Sequence, residues 1–97
     1  MNEVGQLIST QPVRGLQVRK PLKNKNLEIL SISLEKGSVL PEHTSPKDAF
    51  LLVLEGTLDF HIQGRTYPLE KWEDFSFPKE EPHWVEARES SRFLIIR

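Results

Sequence analysis

Seven prolines and five glycines interrupt these 97 residues, and that punctuation constrains the fold more than any other feature. No stretch between the breaks carries apolar residues at a 3.6-residue period over three turns, so no long helix is expected. The breaks leave short runs that alternate every second residue, the pattern of strands with one buried face. Leu30, Ile32 and Leu34 alternate with Ser31 and Ser33, and Leu58, Phe60 and Ile62 with Thr57, Asp59 and His61. The apolar run from Phe50 to Leu54 reads as a buried central strand that turns at Glu55-Gly56. Gly15 to Lys20 reads as an earlier strand ended by Pro21, and residues 66–69, 75–77, 84–87 and 93–96 as later ones. So many short antiparallel strands in so short a chain predict an all-β barrel or two-sheet jelly roll, a closure that removes exposed strand edges.

Composition narrows the function classes. There is no cysteine, which excludes disulfides, thiolate metal sites and cysteine catalysis. The net charge is −1, but residues 1–36 carry six basic and three acidic side chains, against seven and eleven in residues 37–97. The basic group Arg14, Arg19, Lys20, Lys23 and Lys25 has no interleaved aromatics, so no nucleic-acid partner is expected. No apolar run approaches the ~20 residues of a membrane span, and no membrane partner is expected. The start, Met1-Asn2-Glu3-Val4-Gly5, lacks the basic and apolar regions of a secretory signal, which makes a cytoplasmic location the expectation.

A single domain is expected, with residues 1–26 as an N-terminal strand or arm packing on the barrel or on a dimer partner, and residues 27–97 as the barrel. A chain of this size is marginal alone, and a homodimer is expected to add burial. Trp84 follows His83 in sequence, so alternation turns it outward, where it suits a subunit contact. Trp72, at a turn, is expected to cover the barrel end, while Phe50, Phe75 and Phe77 fill the core. Glu70, Glu73, Asp74, Glu80 and Glu81 read as a solvated rim, since catalytic carboxylates must converge across a cleft. Tyr67 is a further acid/base candidate if its strand faces inward.

Two histidines stand out. His43 ends the stretch Gly37-Ser38-Val39-Leu40-Pro41-Glu42-His43, and His83 follows Phe77-Pro78 by a short loop, 40 residues later. Each is introduced by a proline-bearing turn, and the strands between them allow the two to meet inside the barrel. A histidine so delivered is a metal ligand, an acid/base or a hydrogen-bonder to a ligand; the bland alternative is a ring capping a backbone carbonyl at the barrel mouth.

In these stretches the chain resembles the cupin family. Gly37, His43 and Gly56 match the family's first motif in register, and Pro78 and His83 match the second. Val53-Leu54-Glu55-Gly56, the Gln63-Gly64 hairpin and Pro82-His83 are also similar to the family. The resemblance covers roughly residues 27–97 and implies a cupin-type double-stranded β-helix, a jelly-roll barrel. It implies a pocket at His43, Ser45, Ala49, Phe77 and His83. The family's usual metal ligands are three histidines and a glutamate; here Ser45 and Ala49 stand at the second histidine and the glutamate, leaving His43 and His83. In the second motif Trp72 and Glu80 stand where the family has glycine, and Ala87 where it has asparagine. Divalent ions generally need three protein ligands, so a weakly held Fe, Mn, Ni or Zn is the most this set implies. Asp48 would join only through a local bulge, Glu42 falls on the face opposite His43, and His61 points away from the interior.

Three functions are compatible with these residues. The first is a barrel binding a small organic ligand without a complete metal set. The second is a metal-dependent enzyme (dioxygenase, isomerase or decarboxylase) acting on a small organic acid or sugar derivative. The third is a structural or oligomerisation module. No residue identifies a catalytic step.

Overall fold

The structure, a computed structural model, describes residues 2–97; Met1, where the reading of the N-terminal start begins, lies outside the described residues. These residues form strands and turns without a helix, and no helix is long and apolar enough to cross a membrane. The strands are β1 (Leu16–Lys23), β2 (Glu28–Leu34), β3 (Val39–His43), β4 (Ala49–Glu55), β5 (Thr57–Ile62), β6 (Arg65–Glu70), β7 (Asp74–Phe77), β8 (His83–Ala87) and β9 (Ser91–Ile96). They pair antiparallel in two sheets, ordered β1-β2-β9-β4-β7 and β3-β8-β5-β6. This is the all-β jelly roll that the alternation predicts.

Proline placement explains which strands lie outside. Pro21, Pro41 and Pro68 sit within β1, β3 and β6, and each of these is an edge strand. Proline cannot donate to a ladder, and an edge strand has a free side where that donor is not needed. Pro21 therefore does not end β1 as expected; the strand continues to Lys23 through a register shift between Arg19 and Leu22. A second shift, between Leu40 and His43, accommodates Pro41.

The inward faces bury Leu34, Leu51, Val53, Leu58, Phe60 and Phe93 completely. Phe60 touches both Phe75 and Phe77 at ring-centroid distances of 4.9 Å, and burial of such a side chain dominates core energetics. Phe50 is a correction: it is 37% exposed. Strand β4 alternates after all, with Leu51 and Val53 inward and Phe50 on the outer face.

The β2 part of the first sheet's outer face is covered by the segment preceding β1. Ser31 and Ser33 point outward yet are buried, because Gln11 and Pro12 lie over them. The buried Gln11 amide donates to the carbonyls of Gln17 and Ser31 at 3.0 and 2.9 Å and accepts from Ser31 Oγ at 2.6 Å. Ser33 Oγ donates to the Pro12 carbonyl at 2.7 Å. The polar half of β2 thus has its hydrogen bonds met inside the fold, which burial demands.

Gly56 joins β4 to β5 with φ +87°, and a Cβ there would collide with Ser91 Oγ and the Ser90 carbonyl. Only glycine meets both constraints. The opposite case occurs at Trp72 and Glu80, where φ is 69° and 64°. The backbone is left-handed at both positions where the cupin pattern has glycine, although this chain has other residues there. Trp72 is also 65% exposed, so it does not close the barrel end as expected; Lys71 Nζ lies 5.8 Å from its ring.

Candidate functional site

Strand pairing brings the two histidines together directly. His43, at the end of β3, is the register partner of His83, at the start of β8. Their rings meet edge to face with centroids 4.3 Å apart. They are not equivalent: His43 is exposed at the mouth, whereas His83 is only 3% exposed. His83 lies among aromatics, with Phe77 at 4.6 Å and Phe60 at 5.3 Å.

Each ring is oriented in the same way. Nδ1 of His43 lies 2.7 Å from the Pro41 carbonyl, and Nδ1 of His83 lies 2.9 Å from the Glu81 carbonyl. A carbonyl only accepts, so each Nδ1 carries a proton and donates, and in a neutral ring this leaves the lone pair on Nε2. The prolines place these carbonyls: Pro41 supplies one itself, and Pro82 fixes the chain between Glu81 and His83. Burial lowers the His83 pKa below its ordinary 6.5; the Glu81 carbonyl opposes this, and the charges of His43 and Arg97 add to the lowering. Burial thereby favours the neutral form of His83.

Both rings line a cleft of about 170 Å³ between the sheets. Its walls are mostly apolar, including Leu30, Ile32, Phe60, Phe77, Val85 and Ile95, with Val18, Leu40 and Thr44 completing the lining. Of the five residues expected there, His43, Phe77 and His83 line the cleft, and Ser45 and Ala49 do not. Ala49 is buried on β4, paired with Phe77. Buried Ser45 shapes the β3–β4 connection, its Oγ donating to the Lys47 carbonyl at 2.6 Å and its own carbonyl accepting from Glu80 N at 2.8 Å. Tyr67 packs on Phe75 at 4.7 Å, away from the cleft lining.

One charged side chain that belongs to neither histidine motif also reaches the site. Arg97 lines the cleft beside the histidines. Its Nε donates to Glu28 Oε1 at 2.8 Å and its Nη1 to Ser45 Oγ at 3.2 Å. The hydrogen bond from Arg97, against an opposing effect of burial, holds the Glu28 carboxyl below its ordinary range, with the charges of Arg97, Lys20 and Lys23 adding to it. A guanidinium has five N–H donors, so this anchoring leaves others for a ligand. The signal was present: Phe93 and Ile95 face inward, and the same period of two carries position 97 inward.

A divalent ion does not fit this donor set. Two imidazole nitrogens are available, Ser45 Oγ is committed to Lys47 and Arg97, and Asp48 Oδ1 instead accepts from Lys79 N at 2.9 Å. No carboxylate lines the cleft among the described residues, and the charged group that does is a cation. A metal site would need the reverse.

Residues 30–97 match the model of the cupin domain family. No curated protein matches the chain. Among solved structures it is similar to an RmlC-like cupin from Desulfovibrio desulfuricans, with 21% identity, TM-score 0.86 and coverage of 99% of this chain and 95% of that one. It is similar to a conserved protein of unknown function from Streptococcus pyogenes, at 23% identity, TM-score 0.79 and coverage of 99% and 93%. KdgF from Halomonas sp. is similar at 21% identity, TM-score 0.78 and coverage of 89% and 81%. At these identities the likeness establishes the architecture alone.

Proposed function

Given that the chain belongs to the cupin family, we propose that it binds a small organic anion in the cleft between its sheets. The single observation that carries this reading is the Arg97 guanidinium lining an otherwise apolar cleft beside His43 and His83. A carboxylate would accept charge-assisted hydrogen bonds from the N–H groups of Arg97 that Glu28 and Ser45 leave free, the strongest type of hydrogen bond available there. The apolar walls would take the carbon skeleton, and His83 Nε2 would accept a hydrogen bond from a hydroxyl or an acid proton. The cleft, about 170 Å³, is smaller than the usual drug-sized pocket, so a short-chain acid suits it better than a sugar nucleotide or peptide. Cupins often bind a metal ion, but an ion here would rest on two imidazoles and water beside a cation, and binding by organic burial is the better supported chemistry.

The test is calorimetric titration with short-chain carboxylates such as propionate and lactate, each against its matched primary amide. Saturable binding of an acid and none of its amide, abolished in Arg97→Gln and weakened in His83→Gln, is the expected result. Equal binding of acid and amide, or acid binding unaffected by Arg97→Gln, would sink the anion reading. Circular dichroism of each variant separates loss of binding from loss of fold.

A further inference from the structure

The outer face of the second sheet gathers a separate set of donors. Asp59 and His61 lie two apart on β5 and so share a face, while the β5–β8 register pairs Asp59 with Glu86 and His61 with Trp84. Asp59 is 8% exposed, and His61 and Glu86 are half-buried. One donor atom from each of Asp59, His61 and Glu86 lies within 4.8 Å of the others. We propose that these three residues bind a divalent transition ion such as Zn²⁺, in a site independent of the interior histidines.

The state of His61 supports this beyond mere proximity. Its Nδ1 is 3.0 Å from Thr66 Oγ1, the outer-ring contact that orients a metal-binding imidazole and sets its tautomer. Its Nε2 is buried and has no partner among the described residues. A buried ring nitrogen without a partner is costly unless something fills its lone pair. The Trp84 ring is stacked on the imidazole at 3.6 Å, with 5° between the planes, and restricts the rotation by which Nε2 could reach water. No ion pair among the described residues joins His61 to a carboxylate.

The chemistry and spacing suit the ion. One imidazole and two carboxylates are borderline-to-hard donors, with solvent completing the coordination. Zn–N and Zn–O bonds of about 2.0–2.2 Å put donors no more than about 4.4 Å apart across an ion. A set within 4.8 Å closes to that by small rotations of the two carboxylates toward the fixed imidazole. Arg88 Nε, on a side chain that is 63% exposed, holds Asp59 Oδ2 at 2.8 Å, and an ionised carboxylate has lone pairs on both oxygens, so this contact and an ion can share it. The contact also leaves the second Asp59 oxygen free.

The experiment uses the untagged full chain and metal alone. His43, His61 and His83 are the three histidines of the sequence, so a His43→Ala/His83→Ala variant retains only the outer one. Saturable one-to-one Zn²⁺ binding in that variant, weakened about tenfold or more by Glu86→Gln and lost in His61→Gln, supports the site. Co²⁺ should quench the fluorescence of Trp84, and the quenching should disappear in His61→Gln. Absence of saturable Zn²⁺ binding, or an isotherm indifferent to both His61→Gln and Glu86→Gln, overturns it. If the double histidine variant does not fold, Glu86→Gln in the parent chain decides: weakening of one Zn²⁺ equivalent by about tenfold or more supports the site, and an unchanged isotherm refutes it.

Discussion

The two faces of the β5–β8 ribbon put a histidine beside an aromatic ring in opposite chemical settings. Inside, His83 lies 5.3 Å from Phe60, buried, with Arg97 as its charged neighbour in the cleft. Outside, His61 lies 3.6 Å from Trp84, with Asp59 and Glu86 as neighbours. The inner face has donors suited to an anion and the outer face has donors suited to a cation. The lesson is that an imidazole's use follows from the charges that adjoining strands bring to it, and successive residues of one strand can differ completely in this respect.

The largest effect expected from breaking this contrast is on stability. Phe60→Ala removes a fully buried ring that supports His83, Phe75 and Phe77, and should cost about 3–5 kcal/mol in chemical denaturation. Trp84→Ala, on the half-buried outer face, should cost about 1 kcal/mol, mainly the stacking on His61. Equal losses would mean that the outer face is as much a packed core as the inner one.

A smaller effect of opposite sign is expected from Glu80→Gly. Glu80 holds φ at 64° in the loop that delivers His83, a conformation costing a non-glycine residue about 1–2 kcal/mol. Glycine removes that strain but loses more entropy on folding, so a net gain of about 0.5–1 kcal/mol is expected. A loss would show that the Glu80 side chain contributes to the loop in some other way.

The smallest effect concerns pH. Unfolded histidine takes up its proton near 6.5, whereas the folded His83 does so only at lower pH, chiefly because of burial. Stability contributed by neutral His83 is therefore complete above pH 6.5 and declines as pH falls from there through the folded value. Denaturation between about pH 5.5 and 7, above the ordinary carboxylate range, should reveal this slope. His83→Gln should flatten it; a slope that survives the substitution assigns it to another group.

Much of the fold was legible in the chain. Alternation in residues 28–34 and 57–62 assigned inner and outer faces correctly, because a strand's side-chain period is two whatever it pairs with. The same rule turned His61 and Trp84 outward and His83 inward. It failed at Phe50, where a continuous apolar run conceals the alternation, and at Pro21, where strand continuity depended on β1 being an edge. Ser45 and Ala49 were placed in the pocket by motif register; the β3–β4 connection instead turns Ser45 onto Lys47 and Arg97. Arg97 lies one residue beyond β9, outside both motifs, and only the cleft geometry joins it to the histidines.

Sequence by itself determined the strands, their facing and the two proline-led histidines, since these rest on local periodicity and on backbone restrictions at glycine and proline. Tertiary structure alone decided which residues meet. His43 faces His83 because β3 pairs with β8 across a bulge, and Glu86 faces Asp59 because β8 pairs with β5. Arg97 reaches the cleft from the far sheet. Pairing register is a property of two strands at once, selected by burial over the whole barrel, and no single stretch of sequence contains it.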